Sequence, residues 1–186
     1  SRVDILQQIF HIIHTSQRVV SFNFMMTCNT EGENFMHTAV KLKKRNAMFV
    51  AITNMLCGEG VFVDLLRSVD GSGSNCLGIA SKCGNVGAFF SVMTSLLNHN
   101  QQGAARDVIL HRNLAGETFL HTALRCHKPG SVVCKTILLH TAMYPKMFRD
   151  LLMTKDIDGK SLIQQISSDA VLYEFVRIRW PTIQCH

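Results

Sequence analysis

One short segment recurs four times along this chain, and it limits the fold more than any other feature. The copies are Gly32-Glu33-Asn34-Phe35-Met36-His37-Thr38-Ala39, Gly73-Ser74-Asn75-Cys76-Leu77-Gly78-Ile79-Ala80, Gly116-Glu117-Thr118-Phe119-Leu120-His121-Thr122-Ala123 and Gly159-Lys160-Ser161-Leu162-Ile163-Gln164-Gln165-Ile166. Their glycines stand 41, 43 and 43 positions apart. Each copy reads glycine, any residue, a small polar residue, then two apolar residues. Glycine tolerates the left-handed backbone of a tight turn. Asn34, Asn75, Thr118 and Ser161 are helix N-cap types placed directly before an apolar-periodic stretch. Five positions beyond the cap stand Ala39, Ala80, Ala123 and Ile166, on the same face as the first apolar pair. Small residues there let neighbouring helices approach closely.

The residues after each cap repeat as well. Periodicity predicts a first helix over roughly Phe35 to Lys43, Cys76 to Lys82 and Phe119 to Cys126. A break follows at Arg45-Asn46, Gly84-Asn85 or His127 to Gly130. A second helix is predicted over roughly Ala47 to Leu56, Val86 to Leu97 and Val132 to His140. A short apolar element then precedes the next glycine: Val61 to Val69, Asp107 to Arg112, and Met147 to Thr154. Asp4 to His14 with Val19 to Phe24 reads as the back half of a unit whose front is missing. The expectation is an all-α chain with one domain, 1–186. Its units are about 1–29 (partial), 30–69, 70–112, 113–155 and a closing unit at 156–186. Val171, Leu172, Tyr173, Phe175, Val176 and Trp180 form the closing helix's buried face or, alternatively, an interface patch, and Pro181 ends that helix.

Gly116 to Ala123 resembles the signature of the ankyrin repeat family, in which Thr-Pro-Leu-His-x-Ala opens the first helix. Gly32 to Ala39 is a second match, and Asp70 to Asn85 a third. The period is longer than the family's, the proline after the cap is absent, and Gly78 stands where the family has histidine. Other helical-pair solenoids with periods in the forties are the alternative. The resemblance implies an ankyrin-like helical-pair solenoid of about four repeats, acting as a protein-binding scaffold without a catalytic centre. It also implies that His37 and His121 bond to the backbone of an adjoining turn. A short array of lengthened repeats is similar to the ankyrin parts of NF-kappaB/Rel inhibitors, including viral or parasite mimics, and equally to ankyrin segments of larger regulatory proteins.

Within that resemblance, groove-facing positions lie four, seven and eight residues after the cap. Seven residues after it stand Lys41, Lys82, Arg125 and Ser168, so stacking sets three basic residues in a row. Lys41, Lys43, Lys44 and Arg45 add a cluster with no acid between Asn34 and Gly58. The expected contact residues are Lys41, Lys44, Lys82 and Arg125, with Thr38 and Thr122 at the fourth position. The expected partner is an acidic segment of another protein, since such charges act mainly on association rate and specificity.

Composition sets the competing readings. The chain of 186 residues carries 19 Lys and Arg against 13 Asp and Glu, a formal charge of +6. Nucleic acid bound at the surface around 41–45 is the first alternative. Against it, one Trp and two Tyr offer few stacking platforms, and no recognition-helix, zinc-finger or RNA-stacking motif occurs. A cysteine/histidine enzyme is the second alternative. Neither a nucleophile motif nor a phosphate loop is present: the Gly71-Ser72-Gly73-Ser74 run lacks the required Gly-Lys-Ser/Thr. His11 and His14 lack further ligands at metal spacing, and Cys126-His127 diverge. No metal and no cofactor is therefore expected. The seven cysteines are odd in number and contain no Cys-x-x-Cys pair, which favours free thiols in a reducing compartment. With no apolar run of membrane-spanning length, the chain reads as a cytoplasmic or nuclear fragment of a longer protein. Partner identity and oligomeric state are not encoded in these features.

Overall fold

The computed structural model describes residues 25–42, 46–56, 60–98, 102–128 and 131–179. Among these residues the secondary structure is all helical, with one isolated bridge between Lys155 and Ser161. The helices are α1 (Phe35–Lys41), α2 (Asn46–Leu56), α3 (Gly60–Arg67), α4 (Cys76–Cys83), α5 (Val86–Asn98), α6 (Gln102–Ile109), α7 (Phe119–Cys126), α8 (Val132–Ala142), α9 (Pro145–Met153), α10 (Leu162–Ser167) and α11 (Ala170–Arg179). The expected half unit at Asp4 to Phe24 lies outside the described residues, as do Lys43, Lys44, Arg45, Trp180 and Pro181.

Each full unit holds three helices, not a pair. The short apolar elements expected at Val61 to Val69 and Met147 to Thr154 fall on α3 and α9, whereas the one expected at Asp107 to Arg112 is displaced: α6 starts earlier, at Gln102, and ends at Ile109. One pattern underlies all three helices: Phe62, Leu65 and Leu66 are spaced as are Ala105, Val108 and Ile109, and as are Phe148, Leu151 and Leu152. All nine side chains are buried. Spacings of three and four place each trio on one helical stripe. The long period thus accommodates an extra helix rather than an extended loop. At the first break, α1 ends at Lys41 and Leu42 is its C-cap, so the helix is shorter than predicted.

Like helices of successive units pack together. Helix α4 lies between α1 and α7, α5 lies between α2 and α8, and α3 packs on α6. Ala39, Ala80 and Ala123 are buried, as the small fifth position after each cap requires for close approach of the first row. The core runs continuously between the rows and includes Met36, Phe49, Leu77, Phe89, Leu120 and Phe148. Phe89 of α5 meets Phe119 of α7 at 5.3 Å between ring centroids, tying the two rows. In α11, Leu172 and Val176 are buried and Val171 is exposed, so the closing helix has a core-facing stripe.

Polar side chains also cross between units. Asn85 Nδ2 donates to the Val40 carbonyl of the preceding unit at 2.8 Å, whereas Asn75 Nδ2 donates to the Val108 carbonyl within its own unit at 2.8 Å. Ion pairs Arg67–Asp107 and Arg106–Asp150, each at 2.7 Å, link the third helices of neighbouring units. Both are exposed enough that they fix register more than they stabilise.

Candidate binding face

The face in question is built from four turns, each feeding a first helix. In turn 1, Asn29 Oδ1 accepts the Glu31 and Glu33 amides, both at 2.9 Å. In turn 2, Asp70 Oδ1 accepts the Ser72 and Ser74 amides at 2.9 Å. In turn 3, Asn113 Oδ1 accepts the Ala115 and Glu117 amides at 3.0 and 2.9 Å. In turn 4, Asp156 Oδ1 accepts the Lys160 amide at 2.9 Å. A short Asx side chain holding the amides two and four residues on closes such a turn locally. The glycine that follows has φ of 74° (Gly32), 74° (Gly73), 70° (Gly116) and 77° (Gly159).

Adjacent turns touch through backbone. The Gly71 amide donates to the Glu31 carbonyl (2.8 Å), Leu114 to Ser72 (3.1 Å) and Ile157 to Ala115 (3.3 Å). A Cβ on Gly73 would lie 2.9 Å from the Leu114 nitrogen, so glycine serves both the left-handed backbone and the close approach.

The third residue after each cap completes the helix start. His37 Nδ1 accepts the Asn34 amide at 3.2 Å, and its Nε2 donates to the Ser68 carbonyl at 3.0 Å. The expected bond from His37 to an adjoining turn is present. In unit 3, His121 Nδ1 accepts from the Thr118 hydroxyl at 2.8 Å and from its amide at 3.3 Å. In unit 4, Gln164 Oε1 accepts the Ser161 amide at 2.9 Å. Burial holds both imidazoles below the usual histidine range. Unit 2 has Gly78 here, and the missing side chain leaves a recess lined by Ser74, Asn75, Gly78, His111, Glu117 and Thr122. His111 approaches from the next turn, its Nε2 donating to the Gly73 carbonyl at 2.7 Å.

The expected contact residues separate into distinct groups. Lys41 is bonded to the buried carboxylate of Glu33. That hydrogen bond holds Glu33 below the usual carboxylate range and Lys41 above the usual lysine range. Arg125 makes a two-pronged pair with Glu117, Nε at 2.6 Å and Nη2 at 2.8 Å, with the same consequence for each group. Both basic residues therefore carry an internal counter-charge, which the reading of three open cations did not include. The acid lies directly before the cap and the base eight residues later. Unit 2 breaks this pattern: Ser74 occupies the acid's position, and exposed Lys82 has no ion pair among the described residues.

Thr38 is exposed, and its hydroxyl donates to the Asn34 carbonyl at 3.4 Å. Thr122 differs from Thr38: it is only 3% exposed and lies in the wall of the Gly78 recess, so it offers a partner little surface. Lys44 lies outside the described residues. Cys28, Cys76, Cys83, Cys126 and Cys134 are free thiols, and burial pushes Cys76 up to about 12. Among the described residues no three His, Cys, Asp or Glu side chains converge to hold a metal. Also among them, no helix is long and apolar enough to cross a membrane. The chain matches no protein-family model and no curated protein.

Proposed function

We propose that this chain is an ankyrin-like solenoid that recognises another protein and does no catalysis itself, receiving an acidic segment across the first-helix face. Support comes from the turn and cap recurring in all four copies, from the third-position bond made by His37, His121 and Gln164, and from the packing of α4 between α1 and α7. A row of this kind presents equivalent side chains at regular intervals along an extended surface. The observation that carries the reading is Lys82. Its neighbours in the row, Lys41 and Arg125, are neutralised by Glu33 and Glu117, while in the unit of Lys82 the acid's position is occupied by Ser74. An incoming carboxylate gains most there, because it need not displace an internal partner.

In this reading Lys41 and Arg125 flank the contact as hydrogen-bonding pairs, and Thr38 adds a hydroxyl at the rim. The role proposed is regulation of transcription or signalling in the cytoplasm or nucleus, as for inhibitors of the NF-kappaB/Rel type.

Affinity capture from cell extract tests the reading. Lys82→Glu is expected to abolish partner capture with the helical spectrum unchanged, whereas Lys41→Gln is expected to weaken it less. Capture indifferent to Lys82→Glu would remove the basic-face reading. Binding to random duplex or single-stranded nucleic acid with a steep salt slope would instead favour the nucleic-acid alternative. Turnover lost on mutation of one cysteine or histidine would favour an enzyme.

A further inference from the structure

The turns differ at their tips. Two residues before the glycine stand Thr30 and Gly71 in turns 1 and 2, but Leu114 and Ile157 in turns 3 and 4. Leu114 is 77% exposed and Ile157 73%. Neither side chain is required to close its own turn, since the Asx side chain and the glycine already do so. Exposed turn tips ordinarily carry small or polar residues. Tips 3 and 4 adjoin through the Ile157 amide and Ala115 carbonyl, and Ala115 is itself exposed. Leu114, Ala115 and Ile157 thus form a short apolar ridge.

The ridge is edged with positive charge. Arg112, Lys155 and Lys160 are exposed and form no ion pair among the described residues. The neighbouring acids are mostly engaged: Glu117 is held by Arg125 and Asn113, and Asp156 accepts from the Lys160 amide and from Gln165 Nε2. Asp158 is the exposed acid of this edge.

We infer that the tips of turns 3 and 4 are a docking ridge for an acidic protein segment carrying apolar anchors, the anchors seated on Leu114 and Ile157 and the carboxylates on the surrounding cations. This rests on the protein-recognition reading and adds a second contact region and the partner's composition. Charge selects the occupant. A second copy of the chain would bring the same three cations against themselves, which disfavours self-docking at this ridge. An anionic membrane would meet Asp158 at the tip and a ridge with none of the aromatic side chains that favour interfacial anchoring.

Selection from a display library of short random peptides, using the whole chain, tests the inference. The expected winners combine Asp or Glu with Leu, Ile, Met or Phe. Leu114→Ser/Ile157→Ser is expected to weaken them by about tenfold or more, the loss of an anchoring contact. Lys155→Glu/Lys160→Glu, which leaves the ridge intact, is expected to reduce binding and its salt sensitivity together. Winners lacking either acids or apolar residues overturn the proposal. So does binding unchanged in the serine double variant while its helical spectrum matches the parent. Adsorption to vesicles containing phosphatidylserine without acidic-peptide selection assigns the ridge to lipid, and concentration-dependent dimerisation lost in the serine variant assigns it to a second copy; either result overturns the proposal. Lys82→Glu separates the two readings. Peptides lost in that variant but kept by the serine variant leave the first-helix face standing without the ridge, and the reverse leaves the ridge without the face.

Discussion

At the scale of single residues, the position three after each cap shows how one side chain ties a helix start to its own cap, and in His37 also to the Ser68 carbonyl at the far end of the same unit. Histidine fills it in units 1 and 3, glutamine in unit 4 and glycine in unit 2. Burial lowers the pKa of His37, His121 and also His140, whose ring packs on Phe90 at 4.0 Å between centroids. A lowered folded pKa means that the unfolded chain binds protons first as pH falls. Stability is therefore expected to be fullest above the ordinary imidazole pKa of about 6.5 and to decline as pH drops through it toward the folded values. Urea unfolding between about pH 7.5 and 5.5 measures the decline. His121→Gln imitates unit 4, keeps an acceptor for the cap amide and is expected to flatten the curve. The thiols supply a second check: alkylation of the native protein is expected to label exposed Cys28 and Cys126 well before Cys76, which is buried and protonated. The repeat alignment made the caps and the role of His37 legible. It left the neutralisation of Lys41 and Arg125 unseen, because an acid before the cap and a base eight residues later meet only when the turn folds back over the helix.

At the scale of elements, the glycines and the third helices are the parts most open to test. Gly159 has no atom within 4 Å of where a Cβ would stand, so Gly159→Ala is expected to cost only the left-handed backbone, about 1–2 kcal/mol. Gly73→Ala is expected to cost more, because the added carbon also meets the Leu114 nitrogen at 2.9 Å. Chemical denaturation of the two variants side by side reads the difference, and equal losses would contradict turn-to-turn contact. Phe148→Ala, in the helix that sequence periodicity left as a short element, is expected to cost about 3–5 kcal/mol if that helix is part of the core. The trios in α3, α6 and α9 were present in the sequence at one shared offset from the glycine. They were unreadable as helices because each is eight or nine residues long, and only packing against the stack sustains elements so short.

At the scale of the whole molecule, the helices of one unit mainly pack within that unit and against the next, so stability is distributed along the stack. Substitutions at the junction between units 2 and 3 are expected to destabilise both neighbours. Hydrogen exchange in Gly73→Ala should therefore rise in α4 and α7 together, whereas a rise confined to turn 2 would argue for independent units. The repeat read from sequence located the turns and helix caps, since turn chemistry is local and glycine, Asx and cap residues carry it. What each unit contains, and which cation lacks an internal partner, depended on contacts across units and so required three-dimensional packing. The ladder of turns also has a mechanical meaning. One backbone hydrogen bond per junction, net about 1 kcal/mol, resists spreading of the turns. A side-chain carbon added at Gly32, Gly73 or Gly116 would stand 2.8, 2.9 or 3.0 Å from the nitrogen of the next turn, so the bare glycines are what allow those bonds to form. A bulky partner wedged between two turns would therefore work against a single weak bond at each junction.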